Sequence, residues 1–205
     1  MVDFRWIVCA DRTNRGTVDT TPVKLGGGEF GLQTRVRYPD VWSLEETAGP
    51  PRLRVGPSSR HVEVLLSLAR VWQADYYLLY VLLISRQGKR APGRYQSSWP
   101  LAFDEVAAFC RTFAPFLEGD GRHHLWIGST VEAGLLIYDH HDWIYAYGDL
   151  PAYIRVLQSQ GFREGELVLP APHHHNFNPV FDAAEDEVAA YCHWQHSPLQ
   201  PDDEY

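Results

Sequence analysis

A chain of 205 residues, 45% apolar and 21% charged, has the balance of a single globular domain and excludes a disordered or fibrous polymer. The N-terminus lacks the basic-then-apolar order of a secretory signal. The longest apolar run, Tyr76 to Ile84, falls far short of the roughly 20 residues that span a bilayer as a helix. A soluble, cytoplasmic protein without membrane contact is therefore expected, and the scattered Cys9, Cys110 and Cys192 offer no disulfide framework against it. The net charge of −8 divides unevenly, with +5 over residues 1–94 and −13 over residues 95–205. Opposed halves either attract each other within one fold or present strong local fields to a partner.

In chain order, Phe4–Cys9 reads as a short strand and residues 11–31 as a long loop. That loop contains Gly26-Gly27-Gly28-Glu29-Phe30-Gly31, which satisfies the spacing of a dinucleotide fingerprint. The fingerprint needs a helix after it, whereas Leu32, Thr34, Val36 and Tyr38 alternate as a strand does, so the nucleotide reading is rejected. Breakers at Gly49-Pro50-Pro51 and Gly56-Pro57 surround a brief strand at Leu53–Val55. Helical spacing of Val62, Leu65, Leu66, Ala69 and Trp72 predicts a helix over 59–73, and Tyr76–Ile84 predicts a strand covered on both faces. Residues 88–98 are a polar, basic connector and the one plausible internal boundary.

Phe103, Val106, Cys110, Phe113 and Leu117 mark a second helix, with Asp104 and Glu105 in its first turn and Pro115 disturbing its end. Segments 123–128, 134–139 and 143–147 follow as an antiparallel meander. Asp149 then caps a helix with the buried stripe Leu150, Tyr153, Ile154 and Leu157, closed by Gly161. Glu166–Leu169 reads as a strand and the proline-flanked 170–179 as a loop. Asp182 with Glu185 resembles a capping box that opens a last helix reaching about Trp194, and 197–205 reads as a mobile acidic tail. The sum is an α+β fold, a mostly antiparallel sheet with about four helices packed on it, in one compact domain.

Nine of the ten histidines fall between residues 123 and 196. The densest groups are Asp139-His140-His141-Asp142, at the tight connection between two strands, and His173-His174-His175. Imidazole is the commonest protein metal ligand, and zinc wants two or three of them with a carboxylate. Neighbours on a strand point to opposite faces, so His140 and His141 are not expected to share one ion. The candidate metal ligands are accordingly Asp139, His141, Asp142, His173 and His175, if the two segments converge. Trp143, Tyr145 and Tyr147 share one strand face and form a candidate binding platform should that face be exposed.

Two functions compete at this point. The first is a protein-binding domain, docking a protein partner through its acidic, aromatic- and histidine-rich C-terminal half without a cofactor; its profile is that of small immunity and accessory proteins, by class analogy. The alternative is a metal-dependent hydrolase built from the DHHD turn and the HHH segment, with a zinc-like ion as cofactor. A third reading makes the clustered histidines a pH-responsive element. No element of the G-x-S-x-G type supports a serine nucleophile, and the net negative charge argues against a nucleic-acid partner.

Overall fold

A computed structural model describes residues 21–28, 34–131 and 133–204. The expected strand at Phe4–Cys9, the loop before Thr21 and the end of the glycine run lie outside the described residues. Chain order begins with β1 (Leu25–Gly27), β2 (Thr34–Arg35), β3 (Val41–Glu45), β4 (Arg52–Gly56) and α1 (His61–Ala69). It continues through β5 (Tyr76–Leu82), β6 (Gly93–Ser97), α2 (Phe103–Thr112) and α3 (Ala114–Gly119). The meander β7 (His123–Ser129), β8 (Leu135–Tyr138) and β9 (Ile144–Tyr147) leads to α4 (Leu150–Ser159). The chain closes with β10 (Arg163–Glu164), β11 (His173–His175), α5 (Asp182–Tyr191) and β12 (Trp194–Ser197).

Nine strands form one sheet in the order β10-β3-β4-β9-β8-β7-β5-β6-β12, antiparallel throughout except for the β10–β3 pair. The class is therefore α+β. Period-two alternation decides which face is buried. Leu53 and Val55, Leu78 and Tyr80, Leu125 and Ile127, Leu136 and Tyr138, and Ile144 and Ala146 point one way and join the helices in the main core. Each such leucine contributes about 2 kcal/mol by leaving water. Their strand neighbours, among them Arg52, Arg54, His124, Trp126, Ile137, Tyr145 and Tyr147, point to the other face, which carries no helix of the core cluster. A smaller core of Leu25, Tyr38, Val41, Trp143 and Leu167 closes one end of that second face.

Several local expectations hold. Phe113 separates α2 from α3, and Pro115 stands in the first turn of α3, where its missing N–H costs nothing. Asp149 caps α4 by accepting from Ala152 N at 3.0 Å, and Gly161 takes the left-handed conformation that ends it (φ 89°). Others are corrected. Residues 88–98 include β6, which pairs with β5 and β12, so the sheet runs through the supposed boundary. Glu166–Leu169 is not a strand: Leu167 is buried between exposed Glu166 and Val168, but among the described residues the alternation has no neighbouring strand to pair with.

The triple histidine is a strand, not a loop, because β1 supplies it with a partner. Asp182 and Glu185 make no capping box; Asp182 binds Arg86, while buried Glu185 accepts from Ser85 Oγ at 2.6 Å and Arg122 Nη1 at 3.2 Å. The last helix stops at Tyr191, and Trp194 begins an edge strand. The acidic tail, expected to be mobile, is anchored by Asp203, which is buried against Arg94 at 2.7 Å. Among the described residues no helix is long and apolar enough to cross a membrane.

Candidate metal centre

The site begins with a small three-stranded sheet, β11-β1-β2. β1 pairs with β11 so that Gly26 faces His174 and Gly27 faces His173. A side chain at Gly26 would collide with the His174 imidazole, so glycine is what lets the two strands approach. Two further backbone bonds, Gly28 N to Pro172 O at 2.9 Å and Asn176 N to Lys24 O at 2.8 Å, extend the pairing at both ends. Strand geometry then places His173 and His175 on one face and His174 on the other.

The opposing half of the site is the β8–β9 turn. Asp139 organises it: Oδ1 accepts from His141 N at 3.0 Å and from Trp143 N at 2.9 Å, and its own N–H donates to Trp143 O at 3.0 Å. Asp142 takes a left-handed backbone (φ 62°), which aspartate tolerates better than most residues. Because His140 and His141 lie in a turn, the strand alternation that would separate them does not apply. Their ring centroids are 4.2 Å apart. Lys24 joins the halves, since its backbone carbonyl holds the β11 segment and its buried Nζ donates to Asp139 O at 3.1 Å. Burial lowers the pKa of Lys24, and Asp142 and Asp139 act against that shift.

The two histidine segments therefore converge. His140 lies 4.1 Å from His175 and His141 4.9 Å from it, centroid to centroid. One ring nitrogen from each of His140, His141 and His175 falls within 4.8 Å of the others. Tetrahedral zinc at about 2.0–2.1 Å from each nitrogen separates its ligand atoms by about 3.4 Å, so the nitrogens would draw together by up to about 1.4 Å to share an ion.

Hydrogen bonding fixes the tautomers. His141 Nδ1 faces Asp139 Oδ2 at 3.0 Å, His175 Nδ1 faces His140 O at 3.2 Å, and His173 Nδ1 faces Pro170 O at 2.9 Å. Ionised carboxylate and carbonyl oxygens only accept, so each Nδ1 carries a proton and donates it to its oxygen. Metal-ligating histidines are oriented in this same way. Burial, reinforced by the neighbouring imidazoles, lowers His140 to about 2 and His175 to about 4, which keeps both in the neutral, ligating form. Burial opposes the charge on Asp139, but the His141 hydrogen bond and the surrounding imidazoles outweigh it and hold the carboxyl at about 2.

Of the candidate ligands, His141 and His175 belong to this group. His173 stands beside it, 5.5 Å from His141 and 5.6 Å from His175. Asp139 lies behind His141 as its orienting carboxylate. Asp142 faces the opposite side of the turn, accepting from Tyr138 Oη at 2.7 Å and pairing with Lys24 Nζ at 3.9 Å. His140 is the member of the cluster that the strand alternation rule does not point to, although the tight connection itself is the available signal. His123 points into the core between Tyr80 and Phe116, at 5.3 and 4.4 Å. His193 and His196 sit on no helix, and rest against Trp99 and Tyr95 instead.

The aromatic platform is only half available. Trp143 is buried in the second core, with the Arg54 guanidinium 4.8 Å from its ring centre. Tyr145 is covered by Arg52 at 4.0 Å, and Tyr147 Oη accepts from Arg52 Nη1 at 2.7 Å. Neither described cysteine suits nucleophilic work: burial pushes Cys110 up to about 12 and Cys192 up to about 11. No family model, curated protein or solved structure matches the chain.

Proposed function

We propose that the imidazoles of His140, His141 and His175 bind a divalent transition metal and that the protein is a metal-dependent hydrolase. The observation that supports this reading most is that one ring nitrogen from each of His140, His141 and His175 comes within 4.8 Å of the others where the two segments meet. Three protein ligands leave one coordination position, and an ion held there supplies Lewis acidity and a lowered pKa for water. A cavity of about 290 Å³ lined by His140, His175, Leu83, Ile84 and Phe177 gives access to the cluster. His173, tethered through Nδ1 to Pro170 O, stands beside the cluster as the general base for the attacking water. Asp139 orients His141 and excludes its other tautomer.

Docking of a protein partner through the acidic half has less support. Asp142, Asp182, Asp186 and Asp203 are engaged by Lys24, Arg86, Arg90 and Arg94, so part of that charge is spent within the fold. Elemental analysis of untagged protein, paired with melting in the presence and absence of a chelator, tests the metal reading. Expected are one equivalent of zinc, iron or manganese, a lower melting temperature on chelation, and loss of the metal in His141→Ala and His175→Ala. Metal-dependent ester hydrolysis should fall in His173→Gln while the metal is retained. A metal-free protein indifferent to added zinc would sink this reading and return the docking surface to first place.

A further inference from the structure

We propose that the open cleft between α2 and the segment joining α5 to β12 binds a small organic cation, an ammonium group carried on an apolar ring. None of its lining residues belongs to the histidine cluster, so the inference stands apart from the hydrolase reading. The cleft measures about 500 Å³, roughly three times the ~150 Å³ that admits benzene, so one ring with a bulky head fits. Its inner lining is apolar, supplied by Leu78 of β5 and by Leu101, both buried. On the α2 side stands Ala108, whose small side chain leaves room.

Two features select the ligand. Among the described residues, Trp99 and Tyr191 are the only exposed Trp, Tyr or Phe side chains, at 49% and 44%, and both line this cleft. Packing holds both rings: Trp99 lies 5.4 Å from the His193 ring, and Tyr191 stands at 76° to Phe109 and Phe113, 5.2 and 5.5 Å away. Rings fixed before binding lose little freedom on it, and their π systems attract cations. The second feature is charge. Asp104 and Glu105 are exposed carboxylates, and neither lysine nor arginine is among the lining residues. Glu105 Oε2 accepts from Ala102 N at 2.8 Å, whereas Asp104 has no ion-pair partner among the described residues. The cations packed near α2 are engaged elsewhere, Arg111 by Glu63 at 2.8 Å and Arg70 over the Phe103 ring at 4.4 Å. The Cys192 thiol, pushed up to about 11 by burial, adds no charge to the cleft. A cation gains from rings and carboxylates together, a neutral ligand from the rings alone, and an anion is repelled.

Benzyltrimethylammonium is the probe, titrated calorimetrically into full-length protein at pH 8, with benzyl alcohol as its neutral and phenylacetate as its anionic counterpart. Expected are saturable binding of the cation, about fivefold weaker binding of each counterpart, and loss of cation affinity as salt rises. The double variant Asp104→Asn with Glu105→Gln keeps the carbonyl oxygen that Ala102 N needs. It should weaken the cation about fivefold and leave benzyl alcohol unchanged. Trp99→Leu keeps apolar bulk but removes the π system, and should weaken the cation about tenfold. Ala108→Trp, which fills the cleft from an exposed helix position, should abolish binding. The proposal is overturned by absence of saturable cation binding or by either counterpart binding as tightly as the cation. Unchanged cation affinity in any of the three variants, with the parent's melting temperature, overturns it too. Chelator-treated and metal-loaded protein should bind the cation alike, so the metal test and this one are decided separately.

Discussion

Asp139 is buried yet ionised, because His141 N, His141 Nδ1 and Trp143 N all point at its two oxygens. Those bonds divide by role. Oδ1 holds the turn, whereas Oδ2 holds the proton of His141 on Nδ1. Asp139→Asn separates the two functions. The amide keeps one carbonyl oxygen for the backbone N–H groups and turns its NH₂ towards His141, which must then present a lone pair at Nδ1 and a proton at Nε2. The fold should survive with a loss of about 1–2 kcal/mol, while metal affinity drops about 10–100-fold. Competition with a chromophoric chelator measures the affinity, and nitrogen-15 shifts of His141 report the tautomer. Unchanged affinity with a flipped tautomer would show that His141 is not a ligand.

At the level of elements, the centre depends on β1 holding β11 against the β8–β9 turn. Gly26 sits where that contact is tightest, so Gly26→Val is expected to push β11 away through the His174 ring. Metal affinity should fall together with the melting temperature, and chelation should no longer shift the latter. A variant that binds metal normally would show that the His174 ring swings aside and leaves β11 in place. How much of this was legible in the sequence depended on where each partner came from. The β7–β8–β9 meander was readable because period-two alternation and short connections are local properties, and so was the Asp149 cap of α4. The His173–His175 strand was not: its flanking prolines signal a loop, and its partner lies almost 150 residues away at Leu25–Gly27, a pairing with no local trace. Asp182 and Glu185 mislead for a related reason, since Arg86 and Arg122 draw their carboxylates away from the helix start. At the centre itself, Asp139, His141, His173 and His175 were nameable from composition and spacing. His140 escapes the strand rule because it lies in a turn.

For the whole molecule, the opposed charges of the two halves bear on stability more through burial than through net charge. Ion pairs such as Arg94–Asp203 and Arg90–Asp186 join basic N-terminal residues to acidic C-terminal ones. Burial opposes the charge on Asp203, but the Arg94 hydrogen bonds outweigh it and hold the carboxyl below its usual value, so between pH 8 and 5 that pair leaves stability nearly flat. The histidines do not. Burial lowers His61 and holds His123 well below the usual imidazole value. A group whose pKa is depressed in the fold costs nothing above the unfolded value of about 6.5. Below it the unfolded chain takes a proton that the fold refuses, and stability falls by up to about 1.4 kcal/mol per pH unit for each such histidine. Melting temperature should therefore be level from pH 8 to 7 and drop steeply below about 6. His123→Phe isolates one contribution, because the ring is enclosed by Tyr80 and Phe116 and needs no charge there. The variant should match the parent near pH 7.5 and exceed it progressively as pH falls to 5, with one fewer proton linked to unfolding. Parallel profiles for parent and variant across that range would mean that His123 is protonated inside the fold, and that the acid sensitivity arises elsewhere.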